Sequence, residues 1–183
     1  MKQTVKYYIL NIVTVLTVTM FFSCKDNYAE VQKIGISENE PIGEAENINL
    51  KYTDSGKVTR HLIGKTMKDY SNRDFPYYEF PDGITLYIYD DAKKSTIVSD
   101  YAIIYDATSI IDLQGNVVIT THDKRILKSE QLYFDRKKEW LFTNVPVTFE
   151  SEQDIIHGNG FDSNGSFTNA EVLEVTGIIA VDD

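Results

Sequence analysis

The chain has 183 residues, with 18 Lys and Arg against 28 Asp and Glu, a formal charge of −10. That length suits one domain of ordinary size, or one domain with a short anchor, and the acidity excludes nucleic acid, which is held by displacing counterions from phosphates. It equally excludes attachment to an anionic bilayer by charge alone. With 12 Tyr, 9 Phe and ordinary Gly and Pro the chain is composed to fold. Its one cysteine makes neither an internal disulfide nor a cysteine-based zinc site.

Residues 1–23 place Lys2 and Lys6 ahead of a mainly apolar run from Tyr7 to Phe22, closed by Ser23 and Cys24. A basic start, a short apolar stretch and a small residue at its end make a secretory signal. Asn11, Thr14, Thr17 and Thr19 interrupt the run, and a membrane span needs roughly 20 predominantly apolar residues. The Ser23-Cys24 pair resembles the lipobox of bacterial lipoproteins, in which the cysteine is lipidated and becomes the mature N-terminus. The other reading is an uncleaved anchor with an idle thiol. On both, the domain is exported and tethered. The polar, acidic stretch Lys25–Glu46 reads as a linker. The expected organisation is therefore a signal peptide or anchor over 1–23, a linker over 24–46 and a folded domain over 47–183.

From Asn47 the apolar pattern has period two. Ile48, Leu50 and Tyr52 alternate with polar residues, as do Ile84, Leu86 and Ile88, then Val117 and Ile119, Leu132 and Phe134, and Val147 and Phe149. Turn residues punctuate the runs at Asp54-Ser55-Gly56, Pro81-Asp82-Gly83, Gln114-Gly115-Asn116 and Asn164-Gly165-Ser166. A weak helical trace over Gly64–Tyr70 does not compete with this pattern, and the domain is expected to be all-β.

A loose repeat underlies the alternation. Units starting at Gly83, Gly115, Val145 and Gly177 follow one another at intervals of about 31 residues. Ser99-Asp-Tyr-Ala102-Ile-Ile104 aligns with Ser129-Glu-Gln-Leu132-Tyr-Phe134, and Thr168–Val172 is a fainter third copy. Stacked units of two or three short strands suit a sandwich, an open barrel or a jelly roll.

Catalytic patterns are thin. His61, His122 and His157 stand far apart in sequence, outside any metal-binding spacing, and no nucleophile elbow, phosphate loop or dinucleotide fingerprint is present. His157-Gly-Asn-Gly160 lacks the lysine and following helix of a phosphate site, so a bulge or tight bend is expected there. Acid pairs such as Asp90-Asp91 and Asp182-Asp183 read as solvated charge, and nothing selects two carboxylates for a glycosidase pair. No enzyme and no cofactor are expected.

The ordered set of these segments resembles LptC, the lipopolysaccharide-export family of the OstA-like periplasmic group, over Asn47–Val181. It begins with Ile48-Asn-Leu-Lys-Tyr52, Asp54-Ser-Gly56 and Val58-Thr-Arg-His-Leu62, like the family's first hairpin. Lys68-Asp-Tyr70, Tyr77-Tyr-Glu-Phe80-Pro81-Asp-Gly-Ile84, Ser99-Asp-Tyr-Ala102 and Leu113-Gln-Gly115-Asn-Val117-Val-Ile119 follow. Leu127-Lys-Ser-Glu-Gln-Leu132-Tyr-Phe134, Val145-Pro146-Val147 and Gly158-Asn-Gly160-Phe161-Asp162 complete it. The chain departs from better-known members in carrying a lipobox-like Cys24 where they keep a membrane helix, and in its longer linker.

The resemblance implies an open β-jelly-roll in the periplasm, tethered to the inner membrane through Cys24 or an uncleaved anchor. The implied partners are lipopolysaccharide, an inner-membrane ABC transporter with periplasmic β-jelly-roll domains, and a periplasmic bridge protein of the same fold. An acyl chain of about a dozen methylenes costs about 10 kcal/mol to hold in water, at about 0.8 per methylene. A carrier therefore needs an apolar groove, which alternating strands supply because every second side chain faces inward. By alternation and family register the groove set is Ile84, Leu86, Ile88, Ala102, Ile104, Val117, Ile119, Leu132, Phe134, Val147 and Phe149. The bland reading of the same residues is a filled core. An alternative function is an outer-surface lipoprotein, with Lys25-Asp26 as a sorting signal and Tyr77, Tyr78, Tyr87 and Tyr89 as a platform for a glycan or protein partner.

Overall fold

Pleating sends successive side chains to opposite faces of a strand, and here burial follows that rule residue by residue. Ile84, Leu86 and Ile88 are buried while Thr85, Tyr87 and Tyr89 between them are half-buried. The computed structural model describes residues 40–91 and 93–176, and every regular element among them is a strand. They are β1 (Gly43–Asp54), β2 (Lys57–Tyr70), β3 (Tyr77–Phe80), β4 (Ile84–Asp90), β5 (Lys93–Ser99) and β6 (Tyr101–Tyr105). Then come β7 (Ile110–Thr120), β8 (Ile126–Asp135), β9 (Trp140–Glu150), β10 (Ile155–Asn164) and β11 (Ala170–Val172). All pair antiparallel in one eleven-stranded sheet, consistent with a β-jelly-roll.

The sheet divides because its long strands change partners midway. Arg60–Gly64 of β2 pairs with β4, whereas Lys68–Tyr70 pairs with β3. Thr120–Val118 of β7 pairs with β5, whereas Ile110–Gln114 pairs with β6. Strands β4 and β5 thus form a front layer and β3 and β6 a back layer, and β2 and β7 belong to both. β8, β9 and β10 extend both layers, with register shifts at Ser129/Tyr133 and Asn159/Phe161. Residues Leu62, Leu86, Ile97 and Ile119 of the front and Phe80, Ala102, Leu113 and Leu132 of the back meet in one buried cluster.

The fold line between the layers has its own chemistry. Gly83 joins β3 to β4 at φ 74°, and a Cβ there would lie 2.0 Å from the Ser99 carbonyl oxygen, so only glycine lets the two corners touch. The next corner interlocks with it: Asp100 donates its N–H to the Gly115 carbonyl at 3.0 Å, and Asn116 Nδ2 donates to Asp100 Oδ2 at 2.5 Å. Gln114-Gly115-Asn116, read as a turn, is instead a bulge within β7. The bend expected at His157–Gly160 is present as the register shift in β10.

The strand pattern prevails over the weak helical trace, and two further expectations are adjusted. The helical trace at Gly64–Tyr70 is strand, because β2 is flanked there by β1 and β3. The ladder of β1 starts at Gly43, inside the stretch read as linker. Thr168–Val172 overlaps β11, which runs antiparallel to β10. The strand that takes the place after β6 and β8 is β10, with Phe161 and Ser163 buried. The N-terminal signal or anchor, Cys24, residues 25–39 of the linker and the unit at Gly177 lie outside the described residues.

Replacing Gly83 with Ala combines positive-φ strain with a clash against backbone, and should cost roughly 2 kcal/mol or more. Gly56→Ala, at φ 80° with nothing within 4 Å of the added carbon, carries the strain alone. Thermal melts should show the Gly83 variant clearly below the Gly56 variant; equal midpoints would contradict the interlocked corner.

Candidate functional site

Cross-strand register gathers the inward side chains into rows that run across the strands. In the front layer Leu62 pairs with Leu86, Leu86 with Ile97, Ile97 with Ile119, Ile119 with Leu127 and Leu127 with Phe149. In the back layer one row is Tyr78, Ile104, Ile111, Phe134 and Leu141, and the next is Phe80, Ala102, Leu113 and Leu132. Two apolar walls therefore face each other from the β1 side of the molecule to the β10 side. Of the eleven residues assigned to a groove, Ile84, Leu86, Ile88, Ala102, Ile104, Val117, Ile119, Leu132, Phe134 and Val147 are buried in this interior, and Phe149 packs against it half-buried. The walls are in contact at the centre, where Leu62, Phe80, Ile97, Leu113 and Phe134 are fully buried.

Adjacent apolar pairs hid several wall residues. In Leu62-Ile63 and Ile97-Val98 alternation alone leaves the phase open; Leu62 and Ile97 are fully buried while Ile63 and Val98 are about 40% exposed. Parity with Leu62 would also have placed Arg60 on the inward side.

At the ends away from the fold line a cleft lies between the layers, lined by Arg60, Ile88 and Asp91 from the front and by Phe134, Glu139 and Gly165 from the back, a mouth with two lips. The back lip is a tied unit. Arg136 of the β8–β9 turn donates its N–H to Ser109 O at 2.9 Å and pairs with Asp106 at 2.9 Å, both in the β6–β7 turn. Gly165 of the β10–β11 loop donates to Glu139 O at 2.7 Å. Asp135 shapes the β8–β9 turn by accepting the Lys138 and Lys137 N–H groups at 2.9 and 3.0 Å, and these bonds hold its carboxyl below the ordinary range despite burial. On the front lip Lys57, at the start of β2, pairs with Asp91 of the β4–β5 turn at 3.1 Å.

Two arginines bridge the lips. Arg60 of β2 lies over the Phe134 ring, 5.5 Å from its centroid, and pairs with Glu139. Arg125, between β7 and β8, lies 5.9 Å over Phe149 and donates to the Phe167 carbonyl at 2.8 Å. Glu139 is two-thirds exposed, so this pair stabilises by roughly 0–1 kcal/mol. A cleft of about 610 Å³ opens beside Arg60 over Ile88 and Phe134, and a second of about 290 Å³ lies on its other side over Leu62, Leu86 and Ile111. The first is of the size that holds small ligands.

The four tyrosines of the alternative platform do not share a face. Tyr78 stands in the inward row of the back layer with Ile104, while Tyr77 points outward with Tyr105. Tyr87 lies in the front layer against His61, beside β5. The histidines are also dispersed: His61 Nε2 is 2.8 Å from Asn49 Oδ1, and His157 Nδ1 is 3.0 Å from Thr148 Oγ1.

Beside Arg125, burial pushes the Asp123 carboxyl up, but hydrogen bonds from Thr121 and Arg125 and the guanidinium charge outweigh it and hold it at about 2. A depressed carboxylate stabilises fully above the ordinary range near 4 and loses that contribution as pH falls towards 2. Asp123→Asn should melt below the parent at pH 7, and the gap should close between about pH 4 and pH 2. A gap independent of pH would contradict the assignment.

A search of curated proteins finds no match to the chain. Among the described residues no helix is long and apolar enough to cross a membrane. The sequence profile of the family described as lipopolysaccharide-assembly, LptC-related, matches residues 10–180, nearly the whole chain and all eleven strands. The chain belongs to the LptC-related lipopolysaccharide-assembly family, which implies a part in lipopolysaccharide transport.

Proposed function

We propose that the protein is a non-enzymatic lipid conduit that receives lipopolysaccharide from an inner-membrane ABC transporter. It passes the lipid along a periplasmic bridge of β-jelly-rolls towards the outer membrane. The observation that carries this reading is the pair of facing apolar rows, registered strand to strand from Leu62 to Phe149 and from Phe80 to Leu132. Acyl chains laid between them would replace wall-to-wall contact with chain-to-wall contact and leave little apolar surface in water. The sugar-phosphate head would remain at the mouth, where Lys57, Arg60 and Lys138 line the larger cleft.

The edges suit a bridge. β1 is paired along one side only among the described residues, with Gly43–Asp54 against β2, so its other side offers backbone groups to a neighbouring strand. At the far side the edge of β10 is covered by Ala170–Thr176, through Leu173 N–H to Gly160 O at 3.0 Å and Thr176 N–H to His157 O at 2.7 Å. A jelly-roll docked on the β1 edge would continue the two rows, whereas one docked on the β10 edge would first have to displace Ala170–Thr176. The domain is held at the inner membrane through a lipidated Cys24 or an uncleaved N-terminal anchor, and energy comes from the transporter.

A photo-crosslinking residue at Ile88 or Phe134, on the floor of the mouth, or at Ile119, further in, should give a lipopolysaccharide adduct in cells. Lys94, on the outer face with its ammonium 3.9 Å over the Tyr87 ring, should not. Absence of adduct at every inward position would contradict the conduit.

A further inference from the structure

Arg60 breaks the rule of the inward rows. It pairs across β2 and β4 with the buried Ile88, which pairs with the buried Ser95, and it shares the inward parity of Leu62. Its side chain is 17% exposed, yet its partner Glu139 belongs to the opposite lip, 79 residues away in sequence. The guanidinium is also the boundary between the two clefts: both contain Arg60, one with Ile88 and Phe134, the other with Leu62, Leu86 and Ile111. The floor beneath is apolar on both sides, so the boundary is this side chain and its ion pair.

A guanidinium presents a planar fork of donors that fits phosphate oxygens as well as it fits a carboxylate. The same rim carries Asp54, Asp90 and Asp91, with Asp91 held by Lys57. Of the basic residues lining this cleft, Lys57 is held by Asp91 and Lys138 by Asp135 at 3.6 Å, and Arg60 is the one seated at the edge of the apolar floor, where an incoming anion can be matched. The turn that holds Glu139 is fixed from behind by Asp135, Arg136 and Gly165, so release of Arg60 frees the lips on its side of the mouth without unravelling either, while Arg125 still reaches the Phe167 carbonyl.

We propose that the Arg60–Glu139 pair is a displaceable latch on the furrow, opened when the phosphate of an acylated amphiphile takes the place of the Glu139 carboxylate on Arg60. The two clefts then join into one continuous trough over Leu62, Leu86, Ile88, Ile111 and Phe134. The proposal rests on the conduit reading and adds to it the residue pair that admits the anionic head.

The single tryptophan, Trp140, follows Glu139 in the chain and reports on the latch by its fluorescence. The full chain, Glu139→Gln and Arg60→Gln are titrated with dodecyl phosphate and with dodecyl maltoside, which share one chain length and differ in charge. The parent should prefer dodecyl phosphate. Glu139→Gln, a change at an exposed turn, should bind both probes at least about fivefold tighter, the coupling expected of a removed closing contact. Arg60→Gln should bind the maltoside more tightly and lose the preference for phosphate, with thermal melts confirming folded protein. Parent-like affinity of Glu139→Gln for both probes, or a phosphate preference that survives Arg60→Gln, overturns the latch and leaves the conduit standing. No binding of either probe to any of the three proteins overturns both.

Discussion

Everything in this fold depends on the pleat being held in register around a corner. Side-chain direction alternates along each strand, and a slip of one residue would send every apolar side chain to the solvent face. The register is pinned where the layers meet, by Gly83 against Ser99 and by Asp100 between Gly115 and Asn116. With those positions fixed, Leu86, Ile97 and Ile119 fall into line on the front wall and Ala102, Leu113 and Leu132 on the back wall. The corners thus decide the position of side chains at the far ends of the same strands.

The mouth is the counterpart of the corner. At the fold line backbone meets backbone and the layers have no freedom to part, whereas at the lips the connection is made by arginine side chains. Arg125 reaches a backbone carbonyl, which moves only if the β10–β11 loop moves. Arg60 reaches a side chain on a hairpin, and Glu139 has solvent at hand. A structure hinged at one side and held by side chains at the other has a defined direction in which to open. Lipid taken up sideways through such a mouth would move along the rows towards either edge without threading through a closed barrel.

Period-two apolar runs from Asn47 onward made the all-β class legible in the sequence, and the repeat of about 31 residues proves to mark architecture. Gly83 and Gly115 both lie on the fold line, and Val145-Pro146 lies between the front and back halves of β9. Gln114-Gly115-Asn116 reads as a turn because bulges and turns use the same residues; only the contact with Asp100 tells them apart. Alternation alone leaves the phase open where apolar residues are adjacent: at Leu62-Ile63 and Ile97-Val98 the wall residue is not picked out, whereas in Ala102-Ile103-Ile104 and Val117-Val118-Ile119 the family register supplies the phase. The turns of the lips are legible, as at Asp54-Ser55-Gly56 and Asn164-Gly165-Ser166, but not the way in which they meet. Their meeting is built from residues such as Arg60 and Glu139, which are distant in sequence and individually ordinary, and which gain meaning only when the layers bring them together.

The central claim is that the walls part at the lips to admit acyl chains. Spin labels at Asp91 on the front lip and Lys138 on the back lip, both about 80% exposed, measure that gap directly by pulsed dipolar spectroscopy. Addition of lipopolysaccharide should shift the distance distribution to longer values. A distribution unchanged by saturating lipid would contradict the account.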